Sequence, residues 1–216
     1  MTQGRNSPPS AAQAGENASG DAPFAPAPPM PDAAGLAKLG EMIDRPVVLV
    51  GLMGVGKSTI GRRLAQSLGT PFVDADDAVV EAAQMSIPEI FERFGEAYFR
   101  DGERRVIARL IEDSQNRPYI IATGGGAFAD DETRALILDK AYAIWLDSDL
   151  DTLVERVSRK SNRPLLKGKD ARSVLADLMA KRGPAYAEAP IRVVSDGGPQ
   201  TNSVARILAA LEEHLT

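Results

Sequence analysis

Short apolar runs alternate with amphipathic stretches along most of this chain. Val47–Val50 is continuously apolar, the pattern of a strand buried on both faces. Runs of the same kind recur at 71–73, 119–122, 141–146 and 191–194. Between them, apolar residues return at helical spacing over Thr59–Leu68, Glu96–Glu112, Leu150–Arg159 and Thr201–Leu215. Ser86-Ile87-Pro88-Glu89 is a capping box that opens a further helix. Strands alternating with helices predict an α/β fold, a three-layer, doubly wound sheet of about five parallel strands. There is no internal repeat and no second core, which predicts one domain.

The N-terminal stretch has a different texture. Residues 1–35 contain no Val, Ile or Leu, and Phe24 is their only aromatic. So poor a segment cannot bury enough apolar surface to offset its ordering entropy. Residues 1–44 are therefore expected to be a disordered Ala/Pro/Gly-rich extension, with a short helix over Leu36–Arg45 leading into a domain at 45–216. The extension lacks the basic start and apolar run of a secretory signal, and a single arginine in 35 residues does not suit a transit peptide. It reads as a solvated segment, with a docking tail for a partner as the alternative.

Composition narrows the chemistry. At 216 residues, 44% apolar and 25% charged, the chain suits one well-buried core. The absence of cysteine excludes disulfides, thiolate zinc sites and thiol nucleophiles. His214, the single histidine, lies at the C-terminal end and leaves Ser-His-Asp hydrolysis and His-ligated metals without a supplier. A net charge of -5 counts against a nucleic-acid binder that relies on bulk basicity. No stretch approaches the ~18 apolar residues of a membrane span. Neither a nucleic-acid nor a membrane partner is expected, and the location expected is cytoplasmic.

Gly51-Leu52-Met53-Gly54-Val55-Gly56-Lys57-Ser58 satisfies G-x-x-x-x-G-K-[ST], with a strand pattern before it and a helix pattern after it. Its glycines let backbone N–H groups wrap phosphates at a helix N-terminus. Gly54, Val55, Gly56, Lys57, Ser58 and Thr59 are thus the expected contacts of a nucleoside triphosphate, with Lys57 on the β- and γ-phosphates and the Ser58 hydroxyl on Mg²⁺. The guanine-reading signature N-K-x-D is absent, which counts against a GTPase switch. Asp74-Ala75-Asp76 ends the second strand pattern, and strand ends of an open α/β sheet face the ligand crevice. In an extended run, residues two apart point the same way, so both carboxylates would enter the site. The plainer alternative is a pair of solvated helix-capping acids.

These motifs occur in order with Phe99-Arg100-Asp101-Gly102-Glu103, Gly124-Gly125-Gly126, Arg163-Pro164-Leu165-Leu166 and Leu178-Met179-Ala180-Lys181-Arg182. The set resembles the shikimate kinase family from about Val47 to the C-terminus. The resemblance implies a P-loop kinase fold with a mobile lid, and transfer of the ATP γ-phosphoryl group to the 3-hydroxyl of shikimate, in the chorismate route to aromatic amino acids. It implies ATP and shikimate as small-molecule partners, Mg²⁺ as cofactor, and a monomer.

What the resemblance implies residue by residue agrees with the chemistry. Arg100 and Arg182 match the carboxylate-binding pair, and a planar guanidinium can hold both oxygens of a carboxylate. Glu103, one turn beyond Arg100, can orient it. Asp76 matches the hydroxyl-binding aspartate, a hydrogen-bond acceptor and candidate base. Asp74 matches the residue that meets magnesium through water. Gly124, Gly125 and Gly126 follow a buried strand, so their N–H groups can lie against substrate. Phe91 and Phe99 match aromatic positions of the pocket, although a Phe at helical spacing is also ordinary core. Ser161–Ala171 resembles the lid, with Arg163 matching the arginine that swings over the phosphates; Arg156 matches a position near adenine. The adenine contact expected near Asp196–Gln200 has no arginine there, which is a departure from the family. Lys57, Asp76 and Arg163 are thus the expected catalytic set. Two alternatives stand beside this reading: a kinase for another small hydroxy acid such as gluconate, and a non-catalytic nucleotide-dependent switch.

Overall fold

A computed structural model of the chain describes residues 26–114, 117–159 and 170–216. Five strands form one sheet: β1 (Val47–Val50), β2 (Phe72–Asp74), β3 (Ile120–Ala122), β4 (Tyr142–Asp147) and β5 (Ile191–Val194). All pair in parallel, in the order β2-β3-β1-β4-β5. β1 is central, Val47 standing opposite Ile120 on one side and Tyr142 on the other. Its four residues have no exposed surface, which is why the sequence there is apolar without alternation.

Eight helices flank the sheet among the described residues: α1 (Ala33–Met42), α2 (Lys57–Leu68), α3 (Ala75–Ala83), α4 (Ile87–Asp113), α5 (Asp131–Lys140), α6 (Leu150–Ser158), α7 (Ala171–Tyr186) and α8 (Gln200–Leu215). α1, α2 and α8 pack on one another, while α3 with α4, α4 with α5, and α6 with α7 make the other helical contacts. From β1 the chain runs outward to β2, returns to β3, then crosses β1 to reach β4. The loops after β1 and β3 therefore open at neighbouring strand ends, where an α/β sheet places its ligand crevice.

One detail departs from the sequence expectations and a second refines them. α1 begins at residue 33, with Asp32 Oδ1 accepting from the Gly35 N–H at 2.8 Å. Leu39 and Ile43 of this region are buried in the core, so the packed structure takes in residues expected to lie outside the domain. Leu36, Leu39 and Ile43 share one helical face, a signal lost when their segment is averaged with the Ala/Pro stretch before it. Residues 1–25 lie outside the described residues. The second detail is α4. The Ser86 capping box is present, the Ser86 N–H donating to Glu89 Oε2 at 2.9 Å. The helix then breaks at Gly95 (φ 82°, ψ 177°) and resumes where the periodic run from Glu96 was expected. Among the described residues, no helix is long and apolar enough to cross a membrane.

Candidate active site

The loop that leaves β1 turns through Gly54 (φ +89°) and Gly56 (φ +104°), a region where a side chain is strained. Gly56 caps α2, whose first residue is Lys57. The Lys57 side chain is nearly buried, and its Nζ donates to the carbonyls of Gly51 at 2.7 Å and Leu52 at 3.0 Å. The ammonium is thereby folded over the loop, close enough to Asp76 to oppose in part the rise that burial and Asp74 impose on its pKa. Ser58 and Thr59 stand in the first turn of α2, beside the same cavity.

That cavity has a volume of about 540 Å³. Gly54, Gly56, Lys57, Ser58 and Thr59 line it with Asp74, Asp76 and Gly125. Arg156, Arg159, Gly197, Gly198 and Gln200 form another part of its wall. Arg156 and the 196–200 window thus belong to the same cavity as the phosphate loop, although the window has no arginine of its own. Arg156 Nη1 donates to the Val55 carbonyl and to Ser195 Oγ, each at 3.1 Å, and its Nη2 donates to the Asp196 carbonyl. Val55 itself is buried, and it meets this network through its backbone. Burial lowers the Arg156 pKa from its ordinary value.

The two aspartates reach the cavity by a different geometry from the one expected. The chain is not extended beyond Asp74: it is the N-cap of α3, its Oδ1 accepting from the Asp76 N–H at 3.1 Å. Asp76 already lies in the first helical turn. The strand passes into the helix with no loop between, so the alternation argument fails. Both carboxylates face the cavity because a cap and the second helical residue are adjacent at a helix N-terminus. Asp74 thus caps α3 and at the same time lines the cavity. Burial pushes the Asp76 carboxyl above its ordinary value, Asp74 adds to this, and Lys57 and Arg100 oppose it.

At Gly124-Gly125-Gly126 the need for glycine is close approach. A Cβ on Gly124 would stand 2.7 Å from both Asp76 Oδ1 and Glu103 Oε1. One on Gly126 would stand 2.5 Å from Arg100 Nη2. Gly125 faces Arg182, whose Nη1 donates to its carbonyl at 2.8 Å. The glycine loop therefore gathers Asp76 from α3, Arg100 and Glu103 from α4, and Arg182 from α7. Arg100 Nη1 donates to Glu103 Oε2 at 2.6 Å. Burial works against the Arg100 charge, but Glu103 and, more weakly, Glu96 outweigh it and raise its pKa. Burial also raises the Glu103 pKa against the pull of Arg100. Glu103 Oε1 is buried with no hydrogen-bond partner among the described residues. Phe99 is core and Phe91 partly exposed, their ring centroids 4.7 Å apart, and the Arg100 guanidinium lies 5.1 Å over Phe99.

Arg163, with lid residues 161–169, lies outside the described residues. Two residues of this region escaped the sequence reading. Thr123 lines the cavity with its hydroxyl on the Leu49 carbonyl at 3.0 Å, tying β3 to β1. Tyr186 reaches the Gly125 carbonyl with its hydroxyl. Its signal was its place four residues after Arg182, on one helical face. A divalent cation has a suitable but incomplete donor set: the Ser58 hydroxyl and Asp74 carboxylate line one cavity, and no group of three acidic or histidine side chains forms a cage among the described residues. Such a set fits an ion like Mg²⁺, which keeps several waters and takes further oxygens from phosphates.

A phosphate loop on a β2-β3-β1-β4-β5 sheet, opening beside a basic, carboxylate-lined pocket, defines the class: a P-loop kinase. The family model for shikimate kinase matches residues 53–212. A shikimate kinase of Novosphingobium aromaticivorans is 55% identical over 179 residues, covering 82% of this chain and 93% of that protein. One from Caulobacter vibrioides is 54% identical over 175 residues, covering 81% of this chain and 86% of its own. Among solved structures, shikimate kinase from Acinetobacter baumannii in complex with shikimate is similar with a TM-score of 0.74 at 32% identity, covering 82% of this chain and 98% of that one. The chain belongs to the shikimate kinase family. A gluconokinase from Sinorhizobium meliloti shares the fold alone, with a TM-score of 0.53 at 16% identity.

Proposed function

We propose that this chain transfers the γ-phosphoryl group of ATP to the 3-hydroxyl of shikimate, giving shikimate 3-phosphate and ADP. The observation that carries the acceptor assignment is the set of side chains held against one glycine loop. Asp76 and Glu103 abut Gly124, Arg182 binds Gly125, and Arg100 abuts Gly126, all beside the phosphate loop. Such a pocket presents guanidinium groups for a carboxylate and carboxylates for hydroxyls, the two functions that shikimate combines.

In this reading Gly54 to Thr59 cradle the phosphates, with Arg156 on the base side. Lys57, which bonds the loop's own carbonyls, turns to the transferring phosphoryl and offsets its charge. Arg163, which matches the family's lid arginine, offsets transition-state charge together with Lys57. Arg100 and Arg182 hold the acceptor carboxylate, and Glu103 fixes Arg100. Asp76 accepts a hydrogen bond from the reacting hydroxyl, and its raised pKa favours it as the group that takes the proton. Ser58 and Asp74 would hold Mg²⁺, which would supply neutralisation of the phosphate charge. The enzyme works as a cytoplasmic monomer.

A coupled ADP-release assay with Mg-ATP tests this, comparing shikimate, quinate, gluconate and no acceptor. Turnover confined to shikimate is expected. Turnover with gluconate alone would keep the phosphate chemistry and overturn the acceptor.

A further inference from the structure

The Gly125 carbonyl accepts two hydrogen bonds from one helix. Arg182 Nη1 donates at 2.8 Å, and the Tyr186 hydroxyl, one turn further along α7, donates to the same oxygen. Tyr186 is almost fully buried, and its ring lies beside Trp145 of β4, centroids 6.1 Å apart and planes 28° from parallel. Trp145 is backed in turn by the Arg192 guanidinium, 4.8 Å from its centroid, and Arg192 is paired to Asp147 at 2.6 Å. Burial pushes the Tyr186 hydroxyl up to about 12, against Arg182, so it remains a proton donor throughout any working pH range. The hydroxyl thus sits on a rigid mount joined to the central sheet.

The peptide geometry gives this contact a direction. In a trans peptide the carbonyl and the next N–H point opposite ways. Holding the Gly125 carbonyl toward α7 aims the Gly126 N–H away from it. Among the described residues neither the Gly125 nor the Gly126 N–H donates to any group, and Gly125 lines the cavity. Arg182 shares that carbonyl with Tyr186 through Nη1 alone, and in the proposed reaction its other N–H groups serve the acceptor carboxylate.

We infer that Tyr186 is a positioning residue for the acceptor: its hydroxyl holds the Gly125 peptide, so that the glycine loop stays aimed at substrate while Arg182 binds it. The inference rests on the proposed shikimate kinase reading. Tyr186 does not line the phosphate-loop cavity, and its effect travels through one peptide.

The test is Tyr186→Phe, which keeps the ring and removes only the donor. Wild-type turnover with shikimate is measured first, and its absence would sink the functional reading rather than this inference. With turnover established, Tyr186→Phe should raise the KM for shikimate roughly fivefold, the effect of one hydrogen bond, with kcat and the KM for ATP near wild type. In an Arg182→Ala background the same change should have a different effect, because both donors share one oxygen. Trp145→Phe is the packing control and should lower Tm while leaving the shikimate KM in place. An unchanged shikimate KM in Tyr186→Phe would overturn the inference. So would equal rises in both KM values, or failure of that variant to fold, since either would make the hydroxyl a general structural requirement.

Discussion

The two halves of this site are built by opposite means. The phosphate cradle is eight consecutive residues between a buried strand and a helix, and what it offers is mostly backbone. The acceptor pocket is made of side chains from α3, α4 and α7 that meet only at Gly124-Gly125-Gly126. The cradle is fixed by local conformation, the pocket by tertiary packing. A change in the first should therefore strike the chemistry common to any acceptor, and a change in the second should strike one substrate.

Lys57→Ala is the severest way to examine that division. It removes a charge that serves the phosphoryl group and also the tie between Gly51 and Leu52. The expected result is a fall in kcat of about 10²–10³-fold, with a smaller change in the shikimate KM. Steady-state kinetics with each substrate varied in turn would measure it. Near-normal kcat would remove Lys57 from the reaction.

Gly124→Ala attacks the other half. The added methyl would meet Asp76 and Glu103 oxygens at 2.7 Å, and Glu103 is too tightly enclosed to retreat. Overpacking of this kind costs about 1–3 kcal/mol. We expect it to appear as a loss of kcat/KM for shikimate of about 5–150-fold, with the KM for ATP held. An equal loss on both substrates would show that cradle and pocket are one mechanical unit, and the comparison would break.

The same contrast governs what was legible in the sequence. The five strands and the P-loop could be read because each is a local pattern, apolar runs for the first and fixed glycine spacing for the second. The start of α4 was legible through Ser86 and Glu89, and Gly95 explains why its periodicity restarts at Glu96. α5 and α7 give no clear periodic signal: their apolar residues do not gather on one face, and α7 carries Gly183 and Pro184 near its end. The Asp74–Asp76 geometry was misjudged because nothing local announces a strand passing directly into a helix. Nor did the pattern reveal that Leu39 and Ile43 join the core, since composition around them belongs to the tail. Pocket residues such as Arg100 and Arg182 were legible only through resemblance to a family, because their meeting depends on contacts far apart in the chain.

Asp76→Asn sharpens the division through stability. Burial raises the folded-state pKa of Asp76 above its ordinary 3.8. The stability this brings is fully present below 3.8 and is lost as pH rises through the raised value, where the acid ionises inside the pocket. At neutral pH the wild type therefore carries an unfavourable buried charge. The asparagine variant should lose most turnover yet gain about 0.5–2 kcal/mol of stability at pH 7. Its Tm should fall less steeply above the acid range, with some slope left because Glu103 is raised in the same direction. Thermal melts of both proteins across pH decide it, and a variant less stable at pH 7 would refute the argument.

The smallest expected effect bears on whether the cradle is as local as its sequence suggests. Arg156 lies 101 residues beyond Val55, yet it donates to the Val55 carbonyl while also holding Ser195 and Asp196. One planar fork thereby joins the P-loop to the segment after β5, which supplies Gly197, Gly198 and Gln200 to the cavity wall. Lysine keeps the charge but has a single nitrogen, which cannot span these acceptors in the same fixed geometry. Arg156→Lys should therefore raise the KM for ATP a few-fold, about 1 kcal/mol, and leave the shikimate KM unchanged. A shift confined to ATP would mean that the base-side wall steadies a loop whose shape is otherwise its own. No shift in either KM would mean that eight residues suffice to hold the cradle, and the contrast with the acceptor pocket would then be complete.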